Sequence, residues 1–290
     1  MSGLVEIAGG ELSAAINPLG AELTHLSDSA GRELMTDADP AFWPKHAPIL
    51  FPVVGETNGH VIRIDGKTYP MHRHGFAREQ RFEVARHDPD RVTFRLTDSA
   101  ATRAHYPFAF VLEITFALDG RTLAIEARIA NPSDAPLPAQ FGFHPALAWP
   151  LPYGAPRADH RIVFDADEPE RLLEINADGL VAAKRESPLD GRTLHLADDL
   201  FTQDALIFDP LHSRAVRYGP PQGPALEIAF PDTPRLGIWT KPGARFVCIE
   251  PWHGLADPQG FTGAFRDKPG VFEVPAGSEK RIGMSIRLLS

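Results

Sequence analysis

Along most of its length the chain alternates apolar and polar residues with a period near two, in short runs cut off by Gly, Pro, Asn or Asp. Such runs fall at 10–16, 20–26, 81–85, 92–96, 110–118, 122–130, 160–164, 205–208, 215–218, 225–230, 235–239, 246–249 and 280–289, and each predicts a strand. Asn17-Pro18-Leu19-Gly20 reads as a turn between the first two. Asp65-Gly66 folds the run 61–69 into a hairpin, and Asp119-Gly120 joins 110–118 to 122–130 in the same way. Helical signal is confined to single turns at 98–105 and 262–265. With 28 prolines and 24 glycines spread throughout, the pattern predicts an all-β sandwich or barrel. No fixed-period repeat, low-complexity tract or convincing linker divides the chain, so one domain over 1–290 is expected.

Composition excludes several partners. The 290 residues are 43% hydrophobic and 23% charged, enough to bury a large core. A net charge of −9 weighs against nucleic acid and anionic membranes as partners. No window approaches the ~20 apolar residues of a membrane span. The first residues lack the basic-then-apolar pattern of a secretory signal, and the single cysteine, Cys248, rules out an internal disulfide and a multi-cysteine metal site. A cytoplasmic protein is expected.

The most informative stretch is Phe246 to Gly254. An apolar run that should be a buried strand ends on Glu250, and Pro251 is expected to stop the ladder there. A carboxylate at the mouth of a buried strand is costly unless it serves an ion pair, a metal or proton chemistry on a ligand. Trp252 beside it offers a flat apolar face, and an acid next to an aromatic platform suits a sugar; the plain alternative is a surface salt bridge. Three more clusters carry polar residues at strand ends: His72 and His74 within Arg73-His74-Gly75-Phe76-Ala77-Arg78, His144 in Phe141-Gly142-Phe143-His144-Pro145, and Asp204 before the strand 205–208. Alone, each is as well explained by a core histidine or a turn-forming acid. Together they supply two histidines, two carboxylates and a tryptophan, the parts of an acid–base sugar site.

His74-Gly75-Phe76-Ala77-Arg78, Phe143-His144-Pro145 and Cys248-Ile249-Glu250-Pro251-Trp252 resemble, in order, motifs of the aldose 1-epimerase (galactose mutarotase-like) family. The likeness extends to Pro48-Ile49-Leu50-Phe51-Pro52, to Asp204-Ala205-Leu206-Ile207-Phe208 and to 254–263, and so covers nearly the whole chain. The resemblance implies a single large, mostly antiparallel β-sandwich that interconverts the α and β anomers of an aldose. It implies Glu250 as base, His144 as general acid, His74 polarising the sugar, Asp204 binding hydroxyls, and Trp239 and Trp252 as walls. No metal or organic cofactor is implied, and the partner is a small sugar, handled by a monomer or homodimer. A hexose-phosphate 1-epimerase or a non-catalytic sugar-binding protein of the same fold would keep the same cleft.

One position departs from the family. Where relatives often carry Gly-Arg after Phe-Pro, this chain reads Val53-Val54-Gly55-Glu56, so an arginine that contacts sugar is matched by Glu56. Glu56 is expected at the sugar site, where it would repel a phosphate and favour neutral aldoses over glucose 6-phosphate. Arg73 or Arg78 could fill the gap. A cupin-like metal site on His72 and His74 is the rival from another class; it would lose activity to a chelator, whereas the epimerase reading predicts activity after exhaustive chelation.

Overall fold

The computed structural model describes residues 3–290. Two antiparallel sheets dominate. The larger has nine strands, ordered Thr193–His195, Arg161–Phe164, Ala215–Gly219, Ala225–Ala229, Glu279–Leu289, Thr122–Ala130, Val111–Asp119, Arg91–Thr97 and Glu83–Asp88. The second has seven, built on Phe246–His253, with Phe141–Gly142 and Ala146–Ala148 on one side and Arg235–Trp239, Leu206–Phe208, Leu172–Ile175 and Val181–Arg185 following on the other. A three-stranded sheet (Val5–Gly9, Leu12–Asn17, Glu22–Asp28) and two short ribbons complete the fold.

The period-two pattern explains the long strands. Leu112, Ile114, Phe116 and Leu118 point inward from one strand, and Leu123, Ile125, Ala127 and Ile129 from the next. Ile282, Met284, Ile286 and Leu288 continue the layer on the third. Both Asp-Gly turns form, with Asp65, Gly66 and Gly120 at positive φ. The expected helical turn at 98–105 is Ala100–Arg103, closed by a reciprocal Ser99–Thr102 capping box. The second is a 3₁₀ turn at Phe265–Asp267, slightly later than expected. One contiguous core runs from Ile7 to Leu288 and takes side chains from both large sheets. Among the described residues, no helix is long and apolar enough to cross a membrane.

The expected stop at Pro251 does not occur. The strand runs on to His253, and Pro251 pairs with Leu236 in the ladder to Arg235–Trp239. Proline fits because its missing N–H faces the opposite neighbour, the strand carrying His144, so the ladder to Arg235–Trp239 loses nothing.

Candidate active site

Glu250 is therefore in mid-strand, and its partner across the ladder is His144. Phe141 and Gly142 pair with His253 and Trp252, and Ala146 pairs with Cys248 in the same register, which sets residue 144 opposite 250. On either side, the Phe143 N–H donates to Pro251 O (3.1 Å) and the Ile249 N–H to Pro145 O (3.2 Å). The reciprocal bonds are absent because both acceptor residues are prolines. His144 and Glu250 thus form a non-hydrogen-bonded cross-strand pair, the kind whose side chains lie closest. His144 Nε2 lies 3.1 Å from Glu250 Oε2, with both side chains buried. Burial pulls the His144 pKa down to about 3, and pushes the Glu250 carboxyl well above the usual carboxylate range, an effect that Asp204 reinforces and Arg73 opposes.

Alternation along this strand turns Cys248, Glu250 and Trp252 to the face opposite the Val247 and Ile249 core positions. The Trp252 indole lies across two glycines of neighbouring strands. A Cβ on Gly237 would stand 2.5 Å from Trp252 Cζ2, and one on Gly142 would stand 2.8 Å from Cδ1. Only hydrogen at those positions lets the ring lie flat on the sheet.

His74 enters from a loop held in an unusual conformation. It has φ of 67°, followed by Gly75 at 74°, where a Cβ would meet Phe51 O at 2.1 Å. The Phe76 and Ala77 N–H groups both donate to that Phe51 oxygen. His74 Nδ1 accepts the Gly55 N–H (3.1 Å), so in the neutral ring the proton sits on Nε2. Burial, then the charges of neighbouring His144 and Arg73, hold His74 well below the ordinary histidine range and keep it neutral. The His74 and His144 rings meet edge-on, with centroids 5.9 Å apart.

These groups converge on a cavity of about 290 Å³, at the small end of the range for small-molecule sites. His74, His144, Asp204, Trp239, Glu250 and Trp252 all line it, as does Arg78. Asp204 takes φ of 68°, accepts the Ala205 N–H and approaches Arg73 at 3.9 Å. Arg78 donates from Nη2 to Arg73 O, while its buried Nε has no partner.

One wall residue had no signal in the sequence pattern. Trp43 sits in the irregular segment 36–47, stacks on His144 at 4.9 Å and meets Trp239 edge-on. Arg73, one of the two arginines expected to be able to fill the gap left by Glu56, also lines the cavity.

Glu56 lies elsewhere than expected. It is not among the lining residues; its carboxylate accepts the Thr57 N–H and lies 3.2 Å from His60 Nδ1, with Gly179 packed against its Cβ. Its backbone is held by a buried network. Lys268 pairs with Asp257 at 2.8 Å, Asp257 accepts the Asn58 N–H, and the Asp257 N–H donates to Glu56 O. Gln140 bridges the Val54 N–H and Pro269 O. This network holds the backbone beside Gly55 and Ala256, which line the cavity. Nor do His72 and His74 converge as a cupin-like pair, for His72 lines a separate small cavity near His105.

A sequence model of the family described as aldose 1-epimerase matches residues 3–259. The chromosomal and plasmid forms of protein LacX from Lactococcus lactis subsp. lactis are each 30% identical over 292 aligned residues, covering 96% of this chain and 97% of theirs. Among solved structures, a galactose mutarotase related enzyme from Lactobacillus acidophilus has a TM-score of 0.92 at 30% identity, covering 99% of this chain and 98% of that one. A galactose mutarotase-like protein from Lactobacillus casei has a TM-score of 0.91 at 28% identity, covering 99% and 100%.

Proposed function

We propose that this chain, which belongs to the aldose 1-epimerase family, works as one domain that interconverts the α and β anomers of an aldose, with Glu250 and His144 moving the protons. The observation that carries this reading is the 3.1 Å contact between His144 Nε2 and Glu250 Oε2 on the cavity wall. Anomer exchange removes the proton of the C1 hydroxyl and delivers one to the ring oxygen. The ring opens to an aldehyde, C1 rotates, and closure from the other face gives the second anomer. A pair that holds one proton between two atoms serves both transfers.

Burial favours the uncharged resting form, a neutral imidazole beside a neutral carboxyl. Shifting that one proton from Glu250 to His144 creates the base and the acid together without changing the total charge. Arg73 favours the resulting carboxylate. Each positioned acid or base contributes about 10²–10⁴-fold. In this scheme His74 donates from Nε2 to a sugar oxygen, Asp204 accepts from hydroxyls, and Trp239 and Trp252 flank the ring. The test is polarimetric mutarotation by His144→Asn and Glu250→Gln against wild type; near-wild-type rates in both would remove the assignment.

The charge of the cavity bears on the substrate. Two guanidinium groups, Arg73 and Arg78, face the cavity together with Asp204, although the chain as a whole carries −9. Glu56, the basis for expecting neutral sugars, is turned aside. A guanidinium grips carboxylate or phosphate oxygens in bidentate fashion, and both Arg73 and Arg78 line the cavity. We therefore assign an aldose bearing an anionic group as the preferred substrate. Anomer exchange followed by NMR should be faster for glucose 6-phosphate than for glucose; the reverse order restores the neutral aldose.

A further inference from the structure

The acid–base reading leaves one buried group beside the cleft unused. Cys248 lies two residues before Glu250 on the same face of the strand, beneath Trp43 and Trp239. Its Sγ, a ring nitrogen of His144 and a carboxylate oxygen of Glu250 all lie within 4.8 Å of one another, and all three residues are buried. His144 Nδ1 is buried without a hydrogen-bond partner. We propose that these three side chains form a binding site for a thiophilic divalent cation such as Zn²⁺, and that its occupation switches the enzyme off. The second half rests on the roles proposed above for His144 and Glu250; the binding half does not.

The donor set selects the ion. Thiolate and imidazole suit Zn²⁺ and its soft neighbours and disfavour Mg²⁺ and Ca²⁺. Zinc bonds of about 2.0–2.3 Å place tetrahedral donors roughly 3.5 Å apart. His144 and Glu250 already meet that spacing at 3.1 Å. The widest separation must shorten by about 1 Å, which a modest rotation of the Cys248 side chain supplies. The fourth position opens toward the cavity.

The balance favours a buried site. The incoming ion displaces the thiol proton and the proton shared by Glu250 and His144, so the 2+ charge is matched by a thiolate and a carboxylate, and both protons leave to solvent. The resulting site is neutral, which avoids the cost of an unpaired buried charge. The same ion removes the proton that the reaction moves and fills the place where the C1 hydroxyl would sit. Trp43, stacked on His144, covers the ligands.

The test uses the full chain stripped with a chelator. Titration with Co²⁺ should raise a thiolate-to-cobalt charge-transfer band in the near ultraviolet, and Zn²⁺ should displace it at one equivalent. Cys248→Ala, and the nearly isosteric Cys248→Ser should Ala perturb folding, should lose the band and weaken Zn²⁺ binding. Outer-shell partners of a metal are worth about 10–100-fold, so loss of a ligand should cost at least that. The stripped wild type and both variants should mutarotate alike, and only the wild type should be inhibited by Zn²⁺ and rescued by chelator. No band in the wild type, or equal Zn²⁺ affinity in the variants, overturns the site. Zn²⁺ bound through Cys248 without inhibition overturns the switch. Should the protein prove catalytically silent, the cobalt band still decides the binding site by itself, so that failure is separable.

Discussion

Replacing Glu250 by Gln should lower turnover and change the pH dependence of stability in a way that reports where the shared proton sits. Gln keeps the shape but cannot accept the C1 proton, so mutarotation should fall by about 10²–10⁴-fold, a loss of roughly 3–5 kcal/mol of transition-state stabilisation. Stability follows from proton counts. Between pH 4.5 and 6.5, the ordinary values of the two groups, an unfolded chain holds one proton on this pair, on the histidine. The folded chain also holds one, on Glu250, because its pKa is raised while that of His144 is about 3. The two shifts oppose each other, so their contributions to the pH slope offset in that window.

Glu250→Gln leaves only the depressed histidine, whose stabilising share is present above pH 6.5 and lost as pH falls toward 3. Relative to wild type, the variant should therefore gain about 1.4 kcal/mol for each pH unit of rise across the window. His144→Asn leaves only the raised carboxyl, whose share is intact below pH 4.5 and lost as pH climbs, so it should tilt in the opposite sense. Urea unfolding of the three proteins at pH 4.5, 5.5 and 6.5 measures both tilts. Parallel stability curves for all three, or wild-type mutarotation by the Gln variant, would refute the shared-proton account.

Three further outcomes follow from the geometry around the pair. Gly237→Ala puts a methyl group 2.5 Å from Trp252 Cζ2, so the indole must lift toward the cavity; overpacking of this kind costs about 1–3 kcal/mol, and KM should rise more than kcat falls in steady-state assays. Lys268→Met strands the Asp257 carboxylate in the interior, and loss of one partner of a buried pair costs about 3–5 kcal/mol, seen as a Tm lower by the order of 10 °C in calorimetry. Arg78→Met should reduce kcat/KM for glucose 6-phosphate about 10-fold or more while changing that for glucose little; equal losses on both would place Arg78 on the sugar ring instead of the anionic group.

Much of the fold is legible in the sequence because long strands buried on one face must alternate. The runs at 110–118, 122–130 and 280–289 lie side by side in the large sheet, as their patterns require. Leu172–Ile175 and Val181–Arg185 left no such trace: the first buries two adjacent residues, Leu172 and Leu173, without alternation, and the second, at the edge of the second sheet, buries none. Glu250 and Trp252 were legible because a carboxylate among apolar residues has few innocent explanations. The direction of Glu56 was not. The Glu56 backbone is held by Asp257, some 200 positions away in the chain, while its carboxylate meets Thr57 and His60, and residue type carries no trace of that arrangement. Trp43 was hidden for a related reason: an aromatic in a loop has no periodicity to declare which face it covers.

The two prolines, read at first as punctuation, have a more specific consequence. Pro145 and Pro251 flank the His144–Glu250 pair diagonally, and each removes one of the four backbone hydrogen bonds that would bracket it. A full ladder would hold the two strands in register without help from side chains. With half of those bonds missing, the carboxyl is held mainly by the ladder on its other side, where Gly237 stands opposite Glu250. The imidazole is held mainly by Trp43 stacked on its face and Trp239 against its edge. The acid and the base are thus anchored by different parts of the structure, one by backbone and one by aromatic packing. Of the two proton carriers, it is therefore the histidine whose position depends on the walls of the cavity, and on whatever fills it.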